Sequence, residues 1–150
     1  MDTLEQWFQN GWLKRHTTSA DEVQSLFEII ERDITDGKNS AERISLDNQL
    51  GILYNAALTL ADVSLRIAGF RAKGEGHHER CFKSLPHTLG QEWYQTSRFL
   101  DTIRRRRNIT EYDSAGVATA ADIRDTIAEI EKLLPRVRAF AKEHGWRTNK

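Results

Sequence analysis

Four arginines in a row, Arg104-Arg105-Arg106-Arg107, run directly into Asn108-Ile109-Thr110-Glu111-Tyr112-Asp113, and no other segment of the chain is as well suited to chemistry. On a helix turning by about 100° per residue, four successive side chains point in four directions, so they cannot all be solvated decoration. Leu100 and Ile103 define the inward face, Arg107 falls between them in angle, and Arg105 points roughly the opposite way. A guanidinium on a buried face must meet a carboxylate, a carbonyl or a phosphate, since an uncompensated buried charge costs roughly 3–5 kcal/mol. Arg107 is therefore either an anion clamp or an internal partner of Glu111 or Asp62 that stitches the fold together.

Other chemistries find less support. His77, His78 and His87 lack a Cys or acidic residue at zinc-like spacing, so no metal is expected. Cys81 keeps phase with Leu85 and Leu89 and reads as a small core residue, not a nucleophile. Trp7, Trp12 and Trp93 sit at helical-face spacings and suit core or subunit contacts better than base stacking, and Trp146 after Gly145 is expected to cap the bundle. No glycine-rich phosphate loop leads into a helix and no serine elbow occurs, so no cofactor is implied.

The elements that must position these residues are helical. The chain of 150 residues, 39% hydrophobic and 29% charged, fits one compact domain over 1–150, with a short N-terminal helix within 1–18 and a core over 19–146. Its apolar runs look too short and too interrupted for a membrane span. With 22 basic against 22 acidic residues there is no general electrostatic case for nucleic acid or membrane, so any such case rests on local clustering. A single cysteine and an N-terminus without a basic or apolar leader make the cytoplasm the expected compartment.

No run of alternating β-branched residues suggests a strand, and an all-α fold is expected. Leu4, Trp7, Phe8 and Trp12 mark a first short helix. Ser19 and Glu22 form a capping-box pattern ahead of Val23, Leu26, Phe27, Ile30 and Ile34, predicting a helix that ends at Gly37. A helical turn is expected within Ala41 to Asp47. From Leu50 to Gly69 an alanine-rich helix, with Ala56, Ala57, Ala61 and Ala68, suits the middle of a bundle. Lys73-Gly74-Glu75-Gly76 must be a loop. A helix over His77 to Leu89 follows, with Pro86 as an objection inside it. The next helix starts near Gln91, and a last one holds phase through Pro135, kinked but not broken, until Gly145.

The segments Tyr54-Asn55-Ala56-Ala57-Leu58 with Leu60-Ala61, Gly69-Phe70-Arg71, His77-His78, and Arg106-Arg107-Asn108 through Tyr112-Asp113 resemble, in order and spacing, the HEPN family, named for nucleotide binding in higher eukaryotes and prokaryotes. The likeness covers roughly Ile44 to Trp146. It implies an antiparallel bundle of about five helices that works as a homodimer, similar to small prokaryotic members encoded beside nucleotidyltransferases in toxin–antitoxin or defence systems. In active members an Arg, usually followed by Asn, precedes a His by four to six residues and supports metal-independent RNA cleavage through attack of the ribose 2′-hydroxyl. Arg107 matches the arginine and Asn108 the asparagine, with Arg104 and Arg106 as further phosphate or RNA ligands. Tyr112 stands where the histidine would be. A tyrosine titrating near ~10 is a poor base at neutral pH beside an imidazole near ~6.5.

The resemblance thus implies RNA or nucleotide-phosphate binding, with ribonuclease activity left open by Tyr112. Tyr112 is alternatively an acceptor of a nucleotide from a partner transferase. Positions five apart on a straight helix diverge by about 140°. Arg107 and Tyr112 meet only if the helix ends between them, at Asn108 or Thr110 with Asp113 and Ser114 beyond, or if two copies exchange them. The alternatives are a non-catalytic module that docks a nucleotidyltransferase and a purely structural bundle.

Overall fold

The computed structural model describes residues 2–40, 43–112 and 116–146, with 109–112 described by backbone alone. The fold is mostly helical: α1 (Leu4–Gln9), α2 (Ala20–Asn39), α3 (Leu46–Ile67), α4 (His77–Lys83), α5 (Leu85–Leu89), α6 (Tyr94–Tyr112) and α7 (Ala120–Glu143). Helix α3 occupies the centre and packs against α2, α4, α6 and α7. Its Ala56, Ala57 and Ala61 are fully buried, which lets neighbouring backbones come close. Leu50, Leu53 and Leu60 of α3 meet Val23, Phe27 and Ile30 of α2, Leu100 and Ile103 of α6, and Leu133 and Val137 of α7 in one core.

Side-chain caps set the helix starts. Ser19 Oγ accepts the Glu22 N–H at 3.1 Å, while the Glu22 carboxylate turns back to His16 and Thr18 and does not close the expected box. Ser45 Oγ accepts the Asn48 N–H at 3.1 Å, so α3 begins at Leu46, ahead of the predicted Leu50. Thr119 and Asp122 form a complete capping box at the start of α7. Asp47 accepts the backbone N–H groups of Gly116 and Ala118, at 2.6 and 3.1 Å, and so ties the approach to α7 to the first turn of α3.

Several sequence expectations need correction. Helix α3 is long and apolar enough to cross a membrane, contrary to the reading of its runs as too short; 61% of its most apolar window lies inside the bundle, as in a core helix. The predicted helix over His77 to Leu89 is two, because Ser84 ends α4 and Pro86 sits in the first turn of α5, where its missing N–H costs nothing. A 3-10 turn, Gln91–Trp93, precedes α6. Helix α7, by contrast, runs unbroken through Pro135 as expected.

Strands were not expected, yet β1 (Leu13–Arg15) pairs antiparallel with β2 (Phe70–Ala72), Leu13 opposite Ala72 and Arg15 opposite Phe70. Gly69, at φ +100°, makes the turn out of α3 that lets β2 start at once. The ribbon and α1 bury Trp7, Leu13, Leu65 and Phe70 as a second small core. Arg15 stacks 4.3 Å from the Phe8 ring centroid and pairs with Glu5, holding α1 on the ribbon.

Helix α2 was expected to stop at Gly37 but continues to Asn39, because Gly37 is a packing residue. A Cβ there would lie 2.5 Å from Leu53 Cδ2 and 2.7 Å from its Cγ, and Gln49 Nε2 donates to Gly37 O at 2.8 Å. Alanine would gain about 1 kcal/mol in helix propensity, but displacing Leu53 costs about 1–3 kcal/mol. Gly37→Ala is therefore expected to destabilise the chain by about 1 kcal/mol, and Gly37→Val by more. Urea midpoints at unchanged slope measure both, and a stabilised Gly37→Ala variant would contradict the packing account.

Candidate functional site

Where α3, α4 and α6 meet, the arginine run separates. Leu100 and Ile103 are 1% and 2% exposed, and Arg107, in phase with both, is half-buried, its Cζ 5.3 Å from the centroid of the Tyr54 ring. Arg107 also lines an open cavity of about 580 Å³ along the first half of α3, with Asp47, Asn48, Gly51 and Asn55. Asn108, next on α6, is half-buried as well. Asp62, one of the partners weighed for Arg107, is engaged by Arg66, whose Nη2 lies 2.8 Å from its Oδ2.

Tyr54 is 1% exposed. Its hydroxyl lies 2.9 Å from His78 Nδ1, which joins the middle of α3 to the first turn of α4. Burial pushes the phenol up to about 12 even against the pull of Arg107 and Arg104, so it keeps its proton at neutral pH. Burial also lowers the His78 imidazole, and the neighbouring His77, Arg107 and Arg104 add to that, so the ring is neutral there. The protonated phenol and the neutral imidazole share one hydrogen bond at Nδ1, the phenol donating to the Nε2–H tautomer or accepting from the Nδ1–H tautomer.

The other arginines take separate partners. Arg104 donates from Nε to Asp101 at 2.7 Å and from Nη2 to Glu79 at 3.3 Å. Burial works against its charge, and the two carboxylates more than offset this, so its pKa is raised. Arg106 turns to α7, with Nε 3.5 Å from Asp122 Oδ2. Arg105 is largely exposed, near Asp101 and the Thr102 hydroxyl. Of the three arginines expected to hold phosphate, Arg107 lines the cavity, and Arg104 and Arg106 point to acidic residues of α4 and α7.

Tyr112 belongs by its backbone to the last turn of α6, and its side chain, like that of Glu111, lies outside the described residues, as do Asp113 and Ser114. The helix does not end between Arg107 and Tyr112, so the bend that would bring them together within one chain is absent and the two positions face about 140° apart.

His77 anchors the preceding loop through Nδ1 to Gly74 O at 3.1 Å, and its ring packs edge-on against His78. His87 packs against Trp7. Among the described residues no group of three His, Cys, Asp or Glu side chains is arranged to hold a metal ion. Cys81 is 4% exposed and burial pushes its thiol up to about 12, which leaves it unreactive. Trp7 is buried, Trp12 is 36% exposed, and Trp93 and Trp146 pack against the main core.

Sequence reasoning placed Arg107 by its phase, and the histidine pair at the start of α4 reaches the central helix through His78. The same reasoning passed over Tyr54 as a group with a role in the site. The available signal was a phenol in the middle of an alanine and leucine face, where a hydroxyl must find a partner.

A histidine whose folded pKa is depressed supports stability above its unfolded value near ~6.5 and loses that support as pH falls through the folded value. His78 and His87 are both depressed by burial. Stability is expected to fall as pH drops from 7.5 to 5, and His78→Asn should flatten the decline in part, with His87 supplying the remainder. Urea midpoints across that range test it, and an unchanged slope in His78→Asn would contradict the assignment.

No protein-family model, no curated protein and no solved structure matches this chain.

Proposed function

We propose that this chain is a HEPN-like helical protein that binds RNA or a nucleotide phosphate in the groove around Arg107 and Asn108, as a ribonuclease-type toxin or defence component with an altered active site. The observation that carries the reading is the half-buried Arg107 guanidinium on the wall of a cavity of about 580 Å³, among amide side chains able to read sugar or base. A guanidinium recognises phosphate by charge-assisted, often paired hydrogen bonds. Stacking on Tyr54 restrains this one before any ligand arrives. Asp47, the acidic residue of that wall, already accepts two backbone N–H groups, which tempers its repulsion of an anion.

Binding is better supported than turnover. Cleavage through the 2′-hydroxyl needs a proton acceptor, and the Tyr54 hydroxyl already occupies one ring nitrogen of His78. A continuous α6 also keeps Arg107 and Tyr112 of one chain on different faces, so any shared site between these two positions would draw on two copies. Arg104 and Arg106, expected as phosphate ligands, act in this reading as positioning groups that fix α6 against α4 and α7.

Equilibrium binding of a short single-stranded RNA to the purified chain tests the proposal. A charge-assisted contact is worth roughly 1.5–3 kcal/mol, so Arg107→Ala should weaken binding about 10- to 100-fold with the thermal transition nearly unchanged. Affinity should fall steeply with salt. The reading fails if neither RNA binding nor RNA cleavage is measurable, or if Arg107→Ala alters stability alone. A stoichiometric nucleotidyltransferase co-purifying with a chain that ignores RNA would favour the docking-module alternative.

A further inference from the structure

We infer a second, separate nucleotide-binding site on the other side of α6, where Tyr94, Arg98 and Arg105 border a cavity closed by Lys83, Ser97 and Asp101. The inference goes beyond the Arg107 groove and stands whether or not that groove takes RNA.

The cavity measures about 390 Å³, within the range of roughly 300–1,000 Å³ typical of small-molecule sites. Its charge is one-sided. Lys83, Arg98, Arg104 and Arg105 surround it or lie just behind it, and the carboxylates among them are Asp101 and Glu79. Asp101 is bonded to Arg104 Nε at 2.7 Å, and Glu79 is held by Lys83 at 2.6 Å and by Arg104. Four cations stand against two carboxylates, with Arg105 Nη1 itself 3.5 Å from Asp101 Oδ2, so the pocket keeps a surplus of positive charge. Arg98 and Arg105 stand seven residues apart, two turns along one face of α6.

An anion alone would need no aromatic group, yet Tyr94 is 47% exposed at the rim. Arg98 Cζ lies 5.8 Å from the ring centroid, so ring and guanidinium form one polar and aromatic surface. Tyr94 and Arg98 are one turn apart, about 6 Å along the helix axis. A base stacked on Tyr94 would therefore place its phosphate between Arg98 and Arg105. The buried Ser97 hydroxyl donates to Phe82 O at 2.8 Å and presents its lone pairs as acceptors for a sugar or base donor. The ligand class is a nucleoside phosphate, either free or as one unit of an RNA strand.

Calorimetric titration of the full chain with adenosine monophosphate, inorganic phosphate and a ten-nucleotide single-stranded RNA tests the site. Tyr94→Leu should weaken the nucleotide about tenfold while leaving phosphate unaffected. Arg98→Ala and Arg105→Ala should weaken both by a similar factor, and should do so equally in an Arg107→Ala background, where the other groove no longer contributes. Tyr94, Arg98 and Arg105 are exposed, so the variants are expected to keep the parent melting temperature, and circular dichroism checks this. Saturable binding of the free nucleotide identifies that source; a response confined to the RNA identifies the strand. The inference is overturned if nucleotide and RNA affinities are both indifferent to Tyr94→Leu, Arg98→Ala and Arg105→Ala, whatever Arg107→Ala does.

Discussion

A phenol buried in an apolar core has to bond its hydroxyl, and the meeting of α3, α4 and α6 depends on how Tyr54 does so. Leaving such a group unpaired costs roughly 1–3 kcal/mol, and the partner it finds, His78, lies on another helix. That hydrogen bond ties the first turn of α4 to the middle of α3. The same ring offers its π system to Arg107 of α6, so three helices converge on one side chain. Burial keeps the phenol protonated, and its hydrogen bond ties up one nitrogen of the imidazole, so packing shapes the local chemistry.

The arginine run shows how a repetitive sequence becomes differentiated structure. Helical rotation sends Arg104 to the α4 carboxylate Glu79, Arg106 to the first turn of α7 at Asp122, Arg107 to Tyr54 and Arg105 to an outer pocket. Two of the four brace α6 against its neighbours. The chain as a whole is electrically neutral, so a local surplus of positive charge arises only because α6 gathers cations faster than α4 and α7 supply acids.

Much of this architecture could be read from residue spacing. The 3.6-residue period over Val23, Phe27 and Ile30, and again over Leu53, Ala57, Leu60 and Ala61, located α2 and the central helix, and the same period picked Arg107 out of four arginines. What the period could not reveal was tertiary. Gly37 looks like a helix terminator and is instead a close approach to Leu53, visible only with both helices in place. Strands of three residues, such as Leu13–Arg15, are too short to show alternation at all. The bond between Tyr54 and His78 spans a turn and a strand, and no local pattern announces it.

Cys81 gives the molecule a property independent of any ligand. It is the chain's one sulfhydryl, sealed between α4 and the central helix with its thiolate strongly disfavoured. A thiol reagent in solution must wait for that packing to part before it can alkylate. The alkylation rate therefore follows the opening of the bundle itself, and the chain carries an internal gauge of its own breathing without an added label.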